Sequence, residues 1–325
     1  MTFDRRTAIP ALAAAGVLWG LTVPLSKLGL EWLGAGWLAF ARFAIAAPLL
    51  AFVARRHLRA ALTPRIAAAG AIGYGLVILL QNAGIERTSV SHAALIVGAV
   101  PVLVALIAAG LGRGRSSAAT WAGALVALAG VGLVAGGGGA GTSLAGDLLV
   151  LASVTGSAAF IVIQPGLLAG RDPAAVTAVQ LGAGALASLP VALAVEGAPF
   201  APAAAGAVVA VLGLAVAGTL LAFWLFAWAQ ARVPAELAGA FVNLEPLVGA
   251  LTGVVAFHDA FGPVQALGGL AILGGIALGA LPRPRRTAPA QPRDTHARRH
   301  HVASAPRAGS GTALGREARA PAQRR

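Results

Sequence analysis

The chain contains no cysteine, a single lysine (Lys27), one tyrosine and one methionine among its 325 residues. Without cysteine there is no disulfide and no thiolate chemistry, and the redox compartment leaves no trace in the sequence. Charge is scarce as well. Only 11% of residues are Asp, Glu, Lys or Arg, against about 25% in ordinary soluble domains. Short alternating apolar segments, the mark of a membrane β-barrel, are missing. The glycines at 136–139 and Gly141 are neither preceded by a strand nor followed by Lys-Ser/Thr, so they do not form a phosphate-cradling loop. No ATP-binding motif occurs. The apolar stretches carry no Ser–His pair, no metal-ligand cluster and no paired aspartates, which removes the usual constellations of a membrane-embedded enzyme.

What is abundant is apolar surface. The composition is 58% hydrophobic, with a mean hydropathy of +0.82. Ten apolar runs of helical length lie at 8–30, 35–54, 66–85, 91–111, 118–136, 147–168, 174–195, 204–229, 235–256 and 262–281. A helix needs roughly 20 apolar residues to cross a bilayer, so the expected fold class is an all-α membrane protein of ten transmembrane helices. Arg5-Arg6 ahead of the first run resembles the start of a signal peptide, but the run is long and lacks a clear cleavage site. It reads as an uncleaved first span. Orientation follows from Lys and Arg in the loops. With the N-terminus inside, the inner segments hold Arg5, Arg6, Arg55, Arg56, Arg59, Arg65, Arg113, Arg115, Arg171 and Arg232. The outer segments hold Lys27 and Arg87. Both termini are therefore expected in the cytoplasm of a bacterial cell, with the chain multi-pass in the plasma membrane.

The chain also repeats itself. Displacing it by 145 residues lays Gly73–Val134 over Gly218–Gly279 without a gap. Pro101 then meets Pro246, Arg87 meets Arg232, Gly123 meets Gly268 and Gly130 meets Gly275. A displacement of 138 lays spans 1–2 over spans 6–7. Each half then has five spans, an odd number, so the second enters the membrane from the opposite side. The expected organisation is a first five-helix repeat at 1–136, a glycine-rich outer linker at 137–146, a second, inverted repeat at 147–282, and a disordered cytoplasmic tail at 283–325. The tail's eleven arginines and two acids contribute +9 of the net charge of +13. It lacks the interleaved aromatics of a nucleic-acid-binding segment and suits contact with anionic lipid headgroups.

Span 9 carries an anomaly: Glu245 lies mid-span with Pro246 after it and Asn243 before it. An acid at the centre of a membrane helix costs about 2.5–3.5 kcal/mol on insertion scales. Arg42 in span 2 is the other charge expected to be deeply buried. The two are expected to interact, directly or through a substrate, with Arg42 holding a carboxylate and Glu245 an ammonium group or a proton. A purely structural role for each is the competing reading. Pro101 and Pro246 are expected to kink their helices and free the carbonyls of Val97 and Val242. Tyr74, Gln81, Asn82, Thr219 and Trp224 are candidate cavity-lining residues, with Trp228 a weaker one. Asn243 points about 200° away from Glu245 on a helix. Gln164, Gln180, Ser153, Thr155 and Ser157 are expected to join helices. His92 and His258-Asp259 are expected to be solvated near the outer surface.

Leu18-Trp19-Gly20, Ala41-Arg42-Phe43, Val100-Pro101-Val102, Leu244-Glu245-Pro246 and the glycine-rich Leu267–Gly275 occur in this order within a duplicated ten-span chain. In these features the chain resembles the EamA-type transporters of the drug/metabolite transporter superfamily, over about residues 8–282. The resemblance implies export of a small metabolite, often an amino acid, across a bacterial inner membrane. Relatives often end spans 4 and 9 with Gly-Glu. Here the positions hold Gly114 and Asp259, so only the second half keeps an acid. Residues and resemblance together lead to a secondary transporter working by alternating access around a midplane site. A lipid-translocating or sensor protein on the same fold is the alternative, and a membrane-embedded enzyme a more distant one. The expected partners are a small-molecule substrate and the lipid bilayer, without a nucleic acid, a cofactor or a metal. Proton coupling and a homodimer are both compatible with the chain.

Overall fold

In a bilayer each backbone N–H and C=O must be satisfied within its own segment, and this chain answers with helices. A computed structural model describes residues 5–112, 118–137, 141–199, 201, 204–230, 241–242 and 244–279. Arg113, Gly114, Arg115, Arg232, Asn243 and the tail 283–325 lie outside the described residues. Among the described residues every regular element is helical. Seven helices are long and apolar enough to cross a membrane: Thr7–Gly29, Ala35–Val53, Pro64–Arg87, Val90–Gly110, Leu144–Leu168, Pro173–Glu196 and Ala205–Phe226. Three shorter apolar helices, Trp121–Gly136, Leu244–Ala256 and Pro263–Leu278, fall where the remaining three spans are expected. The protein is a multi-pass membrane protein.

Several spans are built from more than one piece. The first comprises α1 (Arg5–Gly20) and α2 (Thr22–Gly29), and the second is α3 (Ala35–Val53). A short α4 (Leu58–Ala61) follows. The third joins α5 (Pro64–Gly70), a π-helical segment at Ala71–Leu76, and α6 (Val77–Arg87). The fourth is α7 (Val90–Val97) and α8 (Val100–Gly110), followed by α9 (Ala118–Gly136). The later helices are α10 (Leu144–Leu168), α11 (Pro173–Val191) with a π-helical segment at Ala192–Glu196, and α12 (Ala205–Ala215). A third π-helical segment at Val216–Leu221 leads into α13 (Ala222–Gln230), and α14 (Leu244–Ala256) and α15 (Pro263–Gly279) complete the set.

Local sequence explains the starts. Thr63, Ser89, Ser143 and Asp172 each accept a hydrogen bond from the backbone N–H three residues on, at the heads of α5, α7, α10 and α11. These are N-cap bonds that satisfy donors the helix itself leaves unpaired. Pro101 acts differently from the expectation of a mid-helix kink. Span 4 breaks at Gly98–Ala99, and Pro101 stands in the first turn of α8. Its missing N–H costs nothing there, because first-turn donors have no intrahelical acceptor. Gly98 also lies against Pro246 of α14. A Cβ added at Gly98 would lie 2.9 Å from Cβ of Pro246.

Packing pairs α9 with α15, α3 with α11, α7 with α14, α6 with α10, and α1 with α13. At the α9–α15 crossing, a Cβ on Gly130 would come within 2.6 Å of the Gly268 carbonyl, and one on Gly275 would collide with that of Gly123. Glycine is required there because lipid supplies no hydrophobic force between helices, so close backbone contact must hold them.

Candidate functional site

Arg42 sits on α3, 8% exposed. Its Nε donates to Thr219 Oγ1 at 2.7 Å, and the guanidinium lies over the Phe43 ring, 5.6 Å from the centroid. Phe43 meets Tyr74 edge-on at 5.6 Å between ring centroids, and Tyr74 meets Phe160 in the same way at 5.2 Å. Tyr74 belongs to the π-helical segment of the third span and Thr219 to that of the eighth. The two segments stand 145 residues apart in sequence, the displacement that relates the two halves. Thr219 therefore occupies the second half's counterpart of Tyr74; Arg42 donates to the hydroxyl of Thr219, and Phe43, which its guanidinium covers, packs on the ring of Tyr74. Single-turn π segments are frequent at functional sites. In this one the Thr219 hydroxyl donates to Leu214 O at 2.9 Å, five residues back.

A guanidinium has five N–H donors in a planar fork. Only Nε is hydrogen-bonded to a described residue, so the fork's outer edge, which matches a carboxylate bidentately, is free of described acceptors. Glu245, partly buried in the first turn of α14, interacts electrostatically with Arg42. Among the described residues Glu86 pairs with Arg87, and His92 Nδ1 meets an Asp147 carboxylate oxygen, each at 3.2 Å. A direct Arg42–Glu245 ion pair is not among them. Small residues bring α14 to this place: a Cβ on Gly20 would lie 2.5 Å from Val248 Cβ and 2.9 Å from the Glu245 carbonyl.

The other candidates divide. Asn82 is buried and donates from Nδ2 to Ala35 O at 3.1 Å, which ties the third span to the start of the second. Gln81 is partly buried beside it. Trp224 is 60% exposed on α13, while Trp19 is the indole that packs with Phe223 and Phe226. Pro101 marks the head of α8, and Pro246 lies on α14 against Gly98.

A second polar cluster escapes sequence reasoning. His92, expected to be solvated, is fully buried. Its Nδ1 lies 3.2 Å from Asp147 Oδ2, and Thr88 Oγ1 donates to Asp147 Oδ1 at 2.5 Å. Asp147 is thus a buried acid in addition to buried Arg42 and partly buried Glu245. Position 147 begins an apolar run, where an acid passes for an ordinary helix-start residue. Nothing local ties it to a histidine 55 residues away. Nearby, Lys27 Nζ donates to Ile85 O at 2.7 Å and Thr88 O at 2.8 Å. Asp259 Oδ2 accepts from Ser91 N at 2.6 Å, so that acid caps α7. Glu196 accepts from Gly36 N at 2.6 Å and from Trp37 N at 3.1 Å at the head of α3. All these ties gather at the Arg87 end of the helices.

Also at that end is a cavity of about 450 Å³. Leu76, Leu80, Val191 and Val195 form apolar walls, and Glu86, Arg87 and Glu196 are charged residues of its lining.

Comparison with known proteins now bears on this geometry. The model of the EamA-like transporter family matches the chain twice, over residues 6–136 and 144–280. A probable terminal-alkyne amino-acid exporter of Streptantibioticus cattleyicolor is 29% identical over 276 residues, 83% of this chain and 92% of that one. A solved crystal structure superposes with a TM-score of 0.61 at 22% identity, covering 85% of this chain and 97% of the other. The likeness to that structure is one of fold. The two family matches span most of the sequence, and the chain belongs to the EamA-like transporter family.

Proposed function

We propose that the chain exports an amino acid or a closely related zwitterion across the bacterial plasma membrane, with Arg42 holding the carboxylate and Glu245 the ammonium group. The observation that carries this reading is the fork of Arg42, whose outer edge meets no described acceptor, set between two π-helical segments and within electrostatic reach of Glu245. A zwitterion supplies the two opposite charges that such a gap lacks. The relative named as an amino-acid exporter points to the same substrate class.

The transport cycle is alternating access by ten spans arranged as two inverted five-helix repeats, both termini cytoplasmic. Support comes from several matched contacts. The π-helical segments Ala71–Leu76 and Val216–Leu221 correspond under the 145-residue displacement. The Gly130–Gly268 and Gly123–Gly275 contacts exchange under it. The close approach of Gly73 to Phe160 has its counterpart in that of Gly218 to Thr22. The family model matches the chain as two copies. With no ATP-binding motif, a gradient or exchange drives the cycle.

A thermal-shift screen of the purified protein against L-amino acids, their N-acetyl derivatives and their methyl esters tests the substrate class, because a binder stabilises by RT ln(1 + [L]/Kd). The zwitterions should stabilise and then show flux in proteoliposomes, and stabilisation by both blocked forms equally would end the zwitterion reading. Lipid translocation is the second reading, favoured by the apolar groove at the Arg87 end. Movement of a labelled phospholipid between leaflets, in the absence of amino-acid flux, would select it.

A further inference from the structure

We propose that the connection between α3 and α5, together with Arg171, is a docking surface for an anionic phospholipid. Its phosphate meets the arginines, and its acyl chains meet Phe52, Val53 and Leu62. The surface is separate from the proposed amino-acid site, since Val53 lies about 16 Å along α3 from Arg42. It depends neither on the substrate class nor on the transport cycle.

Arg55, Arg56, Arg59 and Arg65 are exposed on the connection, and Arg171 is exposed just before α11. None of the five pairs with an acid among the described residues. Asp172, the acid beside Arg171, accepts from Ala175 N at 2.8 Å and so caps its own helix. The cations are carried on a packed element. Ala54, Ala61 and Ile66 are buried against Leu167, Ala175 and Val176, which seats α4 and the start of α5 on the end of α10 and the head of α11. Like charges on one packed surface repel one another, and an external anion offsets that cost.

Apolar side chains stand among these cations. Phe52, Val53 and Leu62 are 70%, 72% and 65% exposed. The Arg55 guanidinium lies over the Phe52 ring, 4.9 Å from its centroid, and Nη1 donates to Phe52 O at 3.3 Å. Because α3 and α5 belong to membrane spans, the turn between them lies where acyl chains give way to headgroups. Guanidinium forks read phosphate oxygens, and basic surfaces between spans bind lipid headgroups. A free phosphate would leave the apolar side chains in water, whereas a phospholipid covers both. Membrane orientation calls for cations on one side, but the fold does not call for them at this turn. Under the 138-residue displacement its equivalent is residues 192–204, which hold no Lys or Arg. The charged residue there is Glu196, which accepts from Gly36 N and Trp37 N.

The absence of cysteine makes a local readout available. V53C and its repeat equivalent V191C each accept a single bimane label. Each labelled protein is placed in vesicles of phosphatidylcholine and phosphatidylglycerol, with one lipid or the other brominated in its chains. Quenching then gives the preference of that position for the anionic lipid. At V53C phosphatidylglycerol should be preferred about tenfold or more, and at V191C there should be no preference. R55K/R56K/R59K/R65K keeps the charge and the orientation signal but loses the planar forks. In that background the preference at V53C should fall at least about threefold. Excess inorganic phosphate should compete no better than chloride at equal ionic strength. Equal preference at the two positions, an undiminished preference in the lysine variant, or displacement by inorganic phosphate would each overturn the proposal. Should the lysine variant fail to fold, the comparison with V191C and the phosphate competition still decide. No readout needs a substrate, so absence of amino-acid flux would count against the zwitterion reading and leave this one standing.

Discussion

Arg42 and Gln180 occupy equivalent positions under the 138-residue displacement between spans 2 and 7, yet their surroundings are opposite in kind. Gln180 is fully buried and exchanges two hydrogen bonds with Gln164, at 2.9 and 3.0 Å. That pair is neutral and each amide satisfies the other, so it has no use for a ligand. Arg42 is charged, spends one donor on Thr219, and leaves its outer edge without a described acceptor. A similar contrast separates the charged Glu245 from its apolar counterpart Val100. One half of a duplicated scaffold thus joins helices where the other presents unsatisfied chemistry. On the proposed reading, the repeat sets the geometry and the departures from it mark the site.

The comparison can be broken by giving the first half the second half's residue. R42Q should lower amino-acid flux in proteoliposomes by about ten- to a hundredfold, since a hydrogen bond to a charged group contributes roughly 1.5–3 kcal/mol and 1.4 kcal/mol is tenfold. Folding, read by size exclusion and melting temperature, should survive, because an amide at this position is what the other half carries. An unchanged flux would assign Arg42 to structure alone.

A smaller effect is expected from E245Q. It keeps the shape and removes the charge, so flux of the zwitterion should fall about tenfold, the loss of one charge-assisted contact. Competition by the N-acetyl amino acid, which has no ammonium group, should be unaltered. Equal loss of both would show that Glu245 shapes the site without reading the amine.

The smallest effects test the closed member. Q180L alone strands the Gln164 amide and should destabilise the protein by about 1–3 kcal/mol, the penalty of an unsatisfied buried group. Q164L together with Q180L removes both partners and should recover most of that loss, with flux unchanged throughout. A double variant as unstable as the single one would mean that the amides carry more than their mutual bonds.

Much of this was legible beforehand, for identifiable reasons. Arg42 and Glu245 stood out because a charge inside an apolar helix is costly wherever it sits. Tyr74 and Thr219 could be named as polar residues of their spans, but the π-helical turns that bring them to Arg42 could not. A shift from α- to π-type hydrogen bonding leaves no pattern of residue types, and it is stabilised by packing against other helices. Pro101 was visible and its role was not, because whether a proline kinks a helix or heads a new one depends on where the preceding turn stops. His92 was misjudged for a related reason: its position near a span end suggested water, while Asp147, remote in sequence, folds over it.

The sequence by itself determined the helical, membrane-spanning character, the duplication, and the two charges that need an account, because hydropathy and chain displacement are properties of residues in order. Only the tertiary structure decided that Arg42 is held by Thr219 rather than by Glu245, that Gln164 and Gln180 close on each other, and that a histidine and an aspartate share a buried site at the Arg87 end. Those outcomes depend on which helices cross within hydrogen-bond reach. That is set by glycine contacts and broken spans acting across the whole bundle, and no local stretch of chain encodes it.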